Sequence, residues 1–175
     1  MPRYYRRRYT RVVRPKKKWA SNIKVWNNES LASGSAAQLV SNSTQSASPT
    51  PSILKVGNFK VSADLFYASS INLGTYSPAC IGYILYVPEG WGTSSANFDD
   101  LIVKHPEWIM ATKTMGGDVN IAGQQFHGVE SINVSTRLKR NLNSGDQVVF
   151  YIKINTTDAI DLNLTGTCRY WTCSN

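Results

Sequence analysis

The 175-residue chain carries 19 Lys and Arg against 11 Asp and Glu, a formal net charge of +8, and has only three cysteines. No apolar run reaches the length of a membrane-spanning helix, the N-terminus lacks the apolar core of a secretory signal, and three cysteines cannot make a disulfide framework. The expectation is one soluble domain with one core, made inside a cell, its thiols reduced and partly buried.

The charge is concentrated at one end. Residues 1–18 hold nine of the cations and no carboxylate, which leaves ten Lys and Arg against eleven Asp and Glu in residues 19–175. Arg3, Arg6, Arg7, Arg8, Arg11 and Arg14 dominate this arm, and Lys16, Lys17 and Lys18 close it. So dense a charge cannot bury enough apolar surface to offset ordering entropy, so the arm needs a polyanion to settle on. Guanidinium forks match phosphate oxygens bidentately. Tyr4, Tyr5, Tyr9 and Trp19 are interleaved with the cations, and their rings can stack on unpaired bases. That combination points to single-stranded nucleic acid rather than a duplex. The same clusters fit a nuclear-import address, and an Arg-rich start without acids also fits an organelle transit peptide. Tyr5, Tyr9, Val12 and Val13 would share one helical face as far as Pro15, on a membrane or on a nucleic acid.

Beyond the arm, Ser21 to Trp26 alternates with period two and opens a first strand. Asn27 to Ser52 reads as loop around one modest strand, Ala36 to Val40. Ile53 to Tyr67 is the next strand, with a bulge or tight turn at Gly57-Asn58. Pro78 to Pro88 is apolar on both faces, as a central buried strand requires. Residues 91 to 106 form a loop that holds what helix the body has, and Glu107 to Met115 resumes as strand. His127 to Leu138 and Gln147 to Ile154 flank a turn at Asn143 to Asp146, and Ile160 onward supplies the last strand. Eight strands without long helical periodicity predict an all-β fold, a sandwich or jelly roll.

No enzyme signature emerges. His105-x-Glu107 resembles the start of a zinc deaminase motif but lacks the Pro-Cys-x-x-Cys that must follow, and His127 has no nucleophile at a suggestive spacing. Asp99-Asp100 reads as a solvated acidic loop rather than a cation site. Phosphate-cradle and nucleophile-elbow motifs are absent. No metal or cofactor is expected. Arg137, Lys139 and Arg140 are the body's dense basic cluster. On one continuous strand Arg137 and Lys139 would share a face with Asn133 and Ser135 and extend the arm's phosphate track, unless that face is a plain polar surface or a subunit contact.

Three stretches, Ile84-Leu85-Tyr86-Val87-Pro88-Glu89-Gly90, His105-Pro106-Glu107-Trp108-Ile109-Met110-Ala111 and Arg137 through Asp146, together with the Met-Pro-Arg-Tyr-Tyr-Arg-Arg-Arg start, resemble capsid proteins of circovirus-like, Rep-encoding circular single-stranded DNA viruses. The body is also similar to the coat fold of satellite tobacco necrosis virus, which packages RNA. The resemblance implies a single eight-stranded jelly roll over residues 19–175 that self-assembles into a small icosahedral (T=1) shell. It implies an arm over residues 1–18 directed onto a single-stranded DNA genome, with RNA the alternative. It further implies passage through the host nuclear import machinery, residence in the virion and the nucleus, and no membrane partner. With roughly sixty copies, nine arm charges each supply on the order of 540 cations. A genome that also encodes a replication protein exceeds that, so counterions or Arg137 and Lys139 must supply the rest. Two rival functions are a monomeric single-strand-binding protein and a lectin-like jelly roll whose arm is only an address.

Overall fold

The computed structural model describes residues 18–31, 36–42, 53–67, 80–115, 129–154 and 162–174. Among them the period-two runs pair into nine strands: β1 (Ala20–Leu31), β2 (Ala36–Ser41), β3 (Leu54–Tyr67), β4 (Cys80–Val87), β5 (Ile109–Met115), β6 (Val129–Ser135), β7 (Lys139–Leu142), β8 (Gln147–Ile154) and β9 (Leu162–Ser174). Every pairing is antiparallel. One sheet has the order β1-β9-β3-β6, with β7 continuing beyond β6 along β3, and the other has the order β2-β8-β4-β5. The fold is all-β.

The ninth strand corrects the expectation of eight. The run from His127 to Leu138 does not continue as one strand, because β6 stops at Ser135 and the Thr136 N–H turns to the Phe59 carbonyl at 2.8 Å. Three residues later the chain rejoins the same neighbour, with Lys139 opposite Gly57. The cause lies in β3. Asn58 adopts a left-handed φ of 54°, and the β3–β9 register shifts between Gly57 and Lys60, which marks the expected bulge. An extra residue reverses the alternation, so Val56 and, past the bulge, Phe59 both reach the core.

Two other boundaries differ from the sequence reading. β1 runs past Trp26 to Leu31 by means of its own irregularity between Trp26 and Glu29, where Asn28 takes a φ of 52°. Asn tolerates that region better than most residues. Pro106 starts a 3-10 turn, Pro106–Trp108, so β5 begins at Ile109 rather than at Glu107. Within residues 91–106 lies the helix α1, Ser95–Lys104. The Ser94 hydroxyl accepts from the Asn97 N–H at its start, and Lys104 faces the negative end of the helix dipole.

The sheets pack face to face, and α1 covers the outer face of the β2-β8-β4-β5 sheet. On β4 and β8, Cys80, Ile84, Val148, Phe150 and Ile152 point between the sheets, while Leu85, Val87, Val149 and Tyr151 point at Phe98 and Leu101 of α1. This explains why β4 is apolar on both faces. The turn between β7 and β8 is tied down by Asp146, which is buried and accepts from the Tyr86 hydroxyl (2.8 Å) and from the Glu89 and Asn143 N–H groups (3.0 and 2.8 Å). Three donors offset the cost of desolvating the carboxylate. No described element covers the outer face of the five-stranded sheet.

Candidate nucleic-acid interface

Register shows which side chains share that outer face. In β1, Trp26 is buried in the core while Ile23 and Val25, at the opposite parity, are each 57% exposed. The apolar pair thus faces outward and Asn22 and Lys24 face inward, with the Lys24 ammonium reaching the Gln38 carbonyl of β2. The core takes the large Trp26 indole on this parity, and Lys24 tolerates the inner side because its stem is apolar and its head escapes at the sheet edge.

From β1 inward, one outward row runs Ser21, Trp171, Gly57, Lys139 and the next runs Ile23, Arg169, Lys60, Ser135. Lys55 and Asn141 share the same face one row beyond Gly57. Arg137 is exposed in the break between the two rows. Lys55, Lys60, Arg137, Lys139 and Arg169 are half of the ten cations outside the arm, gathered on one side of one sheet. None of them is in an ion pair among the described residues. Among the described residues the carboxylate on this face is Asp64, two rows past Lys60 along β3 and so about 13 Å away by strand rise; it accepts from the Ser131 hydroxyl at 2.5 Å. Unneutralised like charges repel, and a polyanion relieves that repulsion.

The arm emerges onto this cluster. Lys18 is exposed, and the Trp19 ring lies with the Lys139 ammonium 5.1 Å from its centroid, a cation–π contact just before β1 pairs with β9. Gly57 makes room for this. A Cβ there would meet the Lys139 Cγ at 2.7 Å and the Leu138 carbonyl at 3.0 Å.

Of the residues expected at the interface, Lys18, Trp19, Arg137 and Lys139 are therefore brought to one end of one sheet face. Arg137 and Lys139 do not sit on one continuous strand, contrary to the sequence reading; Arg137 lies in the interruption and Lys139 opens the strand after it. Arg140 points the other way, over the Tyr86 ring (5.7 Å) and onto the Glu107 carbonyl. Arg3, Tyr4, Tyr5, Arg6, Arg7, Arg8, Tyr9, Arg11, Arg14, Lys16 and Lys17 lie outside the described residues. Sequence reasoning missed Lys55, Lys60, Arg169 and Trp171. Their available signal was the polar side of an alternating strand, but nothing in the chain order relates β3 to β9.

The groups considered for chemistry have structural partners. Asp99 and Asp100 lie on α1 rather than in a loop, Asp99 bonded to Lys153 (2.8 Å) and Tyr151, and Asp100 to Lys104 (2.8 Å). His105 Nδ1 lies 3.1 Å from Glu107, and its ring stacks on Trp108 with centroids 4.0 Å apart. His127 lies outside the described residues. Among the described residues no cluster of three or more metal-ligating side chains occurs. Cys80, Cys168 and Cys173 are buried, and burial pushes the Cys168 thiol up to about 12, which leaves it a poor nucleophile at neutral pH. No family model matches the chain, and no curated protein matches its sequence. The functional reading therefore rests on the geometry of this face.

Proposed function

We propose that the protein is a viral coat protein that self-assembles into a closed icosahedral shell and packages single-stranded nucleic acid through its N-terminal arm and the sheet face at the arm's root. The observation that carries the reading is the root of the arm, Lys18 and Trp19, beside a sheet face that no described element covers and that holds five body cations in no described ion pair. Strand order supports the architecture. Sheets β1-β9-β3-β6 and β2-β8-β4-β5 follow the winding of two Greek keys into a jelly roll if β6 and β7 are counted as one interrupted strand. The body, with 21 charged residues among 157, suits extensive contact between copies. A single-stranded DNA genome fits the resemblance, and RNA would meet the same phosphate and base chemistry. Passage through the host nucleus would use the arm's Arg and Lys clusters.

Sedimentation of the purified full chain with absorbance at two wavelengths tests the proposal. Closed particles whose absorbance ratio reports nucleic acid are expected. A chain that binds oligonucleotides yet stays monomeric across salt and pH is instead a single-strand-binding protein, and one that neither assembles nor binds fits the ligand-binding jelly roll.

A further inference from the structure

Where the β3 bulge faces the break between β6 and β7, both ladders of β3 are interrupted at one level. The gap is a groove of about 560 Å³ lined by Asn58, Phe59, Lys60, Ser135, Thr136, Arg137 and Trp171. The lining is not that of an ordinary strand surface. Trp171 is 40% exposed, and its register partner on β3 is a glycine, which brings no side chain to cover the ring. Lys60 and Arg137 are exposed beside it, and Arg169 is the register partner of Lys60. Two cations in one groove with no carboxylate partner among the described residues cost electrostatic energy that an anion recovers. Asn58, Ser135 and Thr136 add neutral donors and acceptors.

We propose that this groove is a nucleotide-binding site for single-stranded nucleic acid, with one unpaired base stacked on Trp171 and its flanking phosphates held by Lys60 and Arg137. The inference deepens the packaging proposal and rests on it. It adds a fixed contact on the folded body, separate from the arm. The recognition is of single strands, because a base inside a duplex presents no free face to the indole. The site takes any base, since every base has a π-face and the neutral groups around the ring are few. It lies at the sheet end where the described chain begins, so a strand leaving the arm at Trp19 meets Lys139 and Trp171 in one row across the sheet.

The test uses the full chain and a single-stranded thymidine oligonucleotide carrying one 5-iodouracil, irradiated in the near ultraviolet, with the adduct located by peptide mapping. An adduct on Trp171 is expected. Trp171→Ala should remove it and weaken binding about five- to hundredfold with the salt slope unchanged, since stacking releases no counterions. Trp171→Phe should restore most of the affinity, which a merely structural role would not require. Lys60→Gln with Arg137→Gln should keep the adduct and flatten the log–log salt slope by about 1.4. Adducts confined to arm residues, with Trp171→Ala binding as the parent does, would overturn the groove site and leave the packaging proposal standing. The same holds if Trp171→Ala impairs assembly alone, which would make the groove a contact between copies. Failure of the parent chain to bind the oligonucleotide at all would remove both.

Discussion

Replacing Lys55, Lys60, Arg137, Lys139 and Arg169 by Gln in the full chain separates a packaging surface from a packaging arm. None of the five is in an ion pair among the described residues, so the fold loses little beyond the Lys139–Trp19 contact, worth about 0.5–1 kcal/mol at an exposed site. The consequence for binding is larger. Each phosphate neutralised on a single strand contributes about −0.7 to the slope of log K against log salt concentration, so the nine arm cations account for about −6 and the five face cations for about −3.5. The parent chain should therefore approach about −10, and the five-Gln variant about −6. The assay is fluorescence anisotropy of a labelled single-stranded oligonucleotide at several salt concentrations, with protein dilute enough to remain unassembled. Thermal unfolding of the variant controls for folding. A variant whose slope equals the parent's would show that no phosphate runs over the sheet face, and the arm alone would carry the cargo.

Four further outcomes follow from the packing. Gly166→Ala should destabilise by about 3 kcal/mol or more, since a Cβ would lie 2.4 Å from both the Ala63 Cα and the Ser62 carbonyl in the middle of the β3–β9 ladder; the denaturation midpoint checks this. Asp146→Ala should cost about 3–5 kcal/mol by leaving the Tyr86 hydroxyl and two backbone N–H groups without their acceptor, again read by denaturant unfolding. Stability should fall as pH rises from about 9 to about 12: burial, helped for Tyr86 by its bond to Asp146, holds Cys168 and Tyr86 protonated up to about 12, above their ordinary 9 and 10, so the unfolded chain gives up these protons first. Urea midpoints across that range should decline, and less steeply in a Tyr86→Phe, Cys168→Ala variant. Fusing residues 1–18 to a cytosolic fluorescent protein should move it to the nucleus, and an unchanged distribution would remove the import role alone.

Most strands were legible because alternation is a local property, and so were the bulge at Gly57-Asn58, the turn at Asn143 to Asp146 and the inner position of β4 between two apolar surfaces. The charge bias of residues 1–18, nine cations and no acid, needs no tertiary information to read. Alternation says that two faces differ, however, and not which one turns inward. In β1 that choice belonged to the register with β9, which buries Trp26 and leaves Ile23 and Val25 outside. At β3 the extra residue Asn58 reversed the parity midway, and the answering break in the next strand separated Arg137 from Lys139 and produced β7. The face that gathers Lys55, Lys60, Arg169 and Trp171 beside the arm was likewise decided by strand order, because β3 and β9 are far apart in the chain and become neighbours only when the sheet forms. A basic residue on a polar strand face is ordinary by itself; the gathering of five of them with an exposed indole, drawn from three separate segments onto one face that no described element covers, is something only long-range pairing assembles.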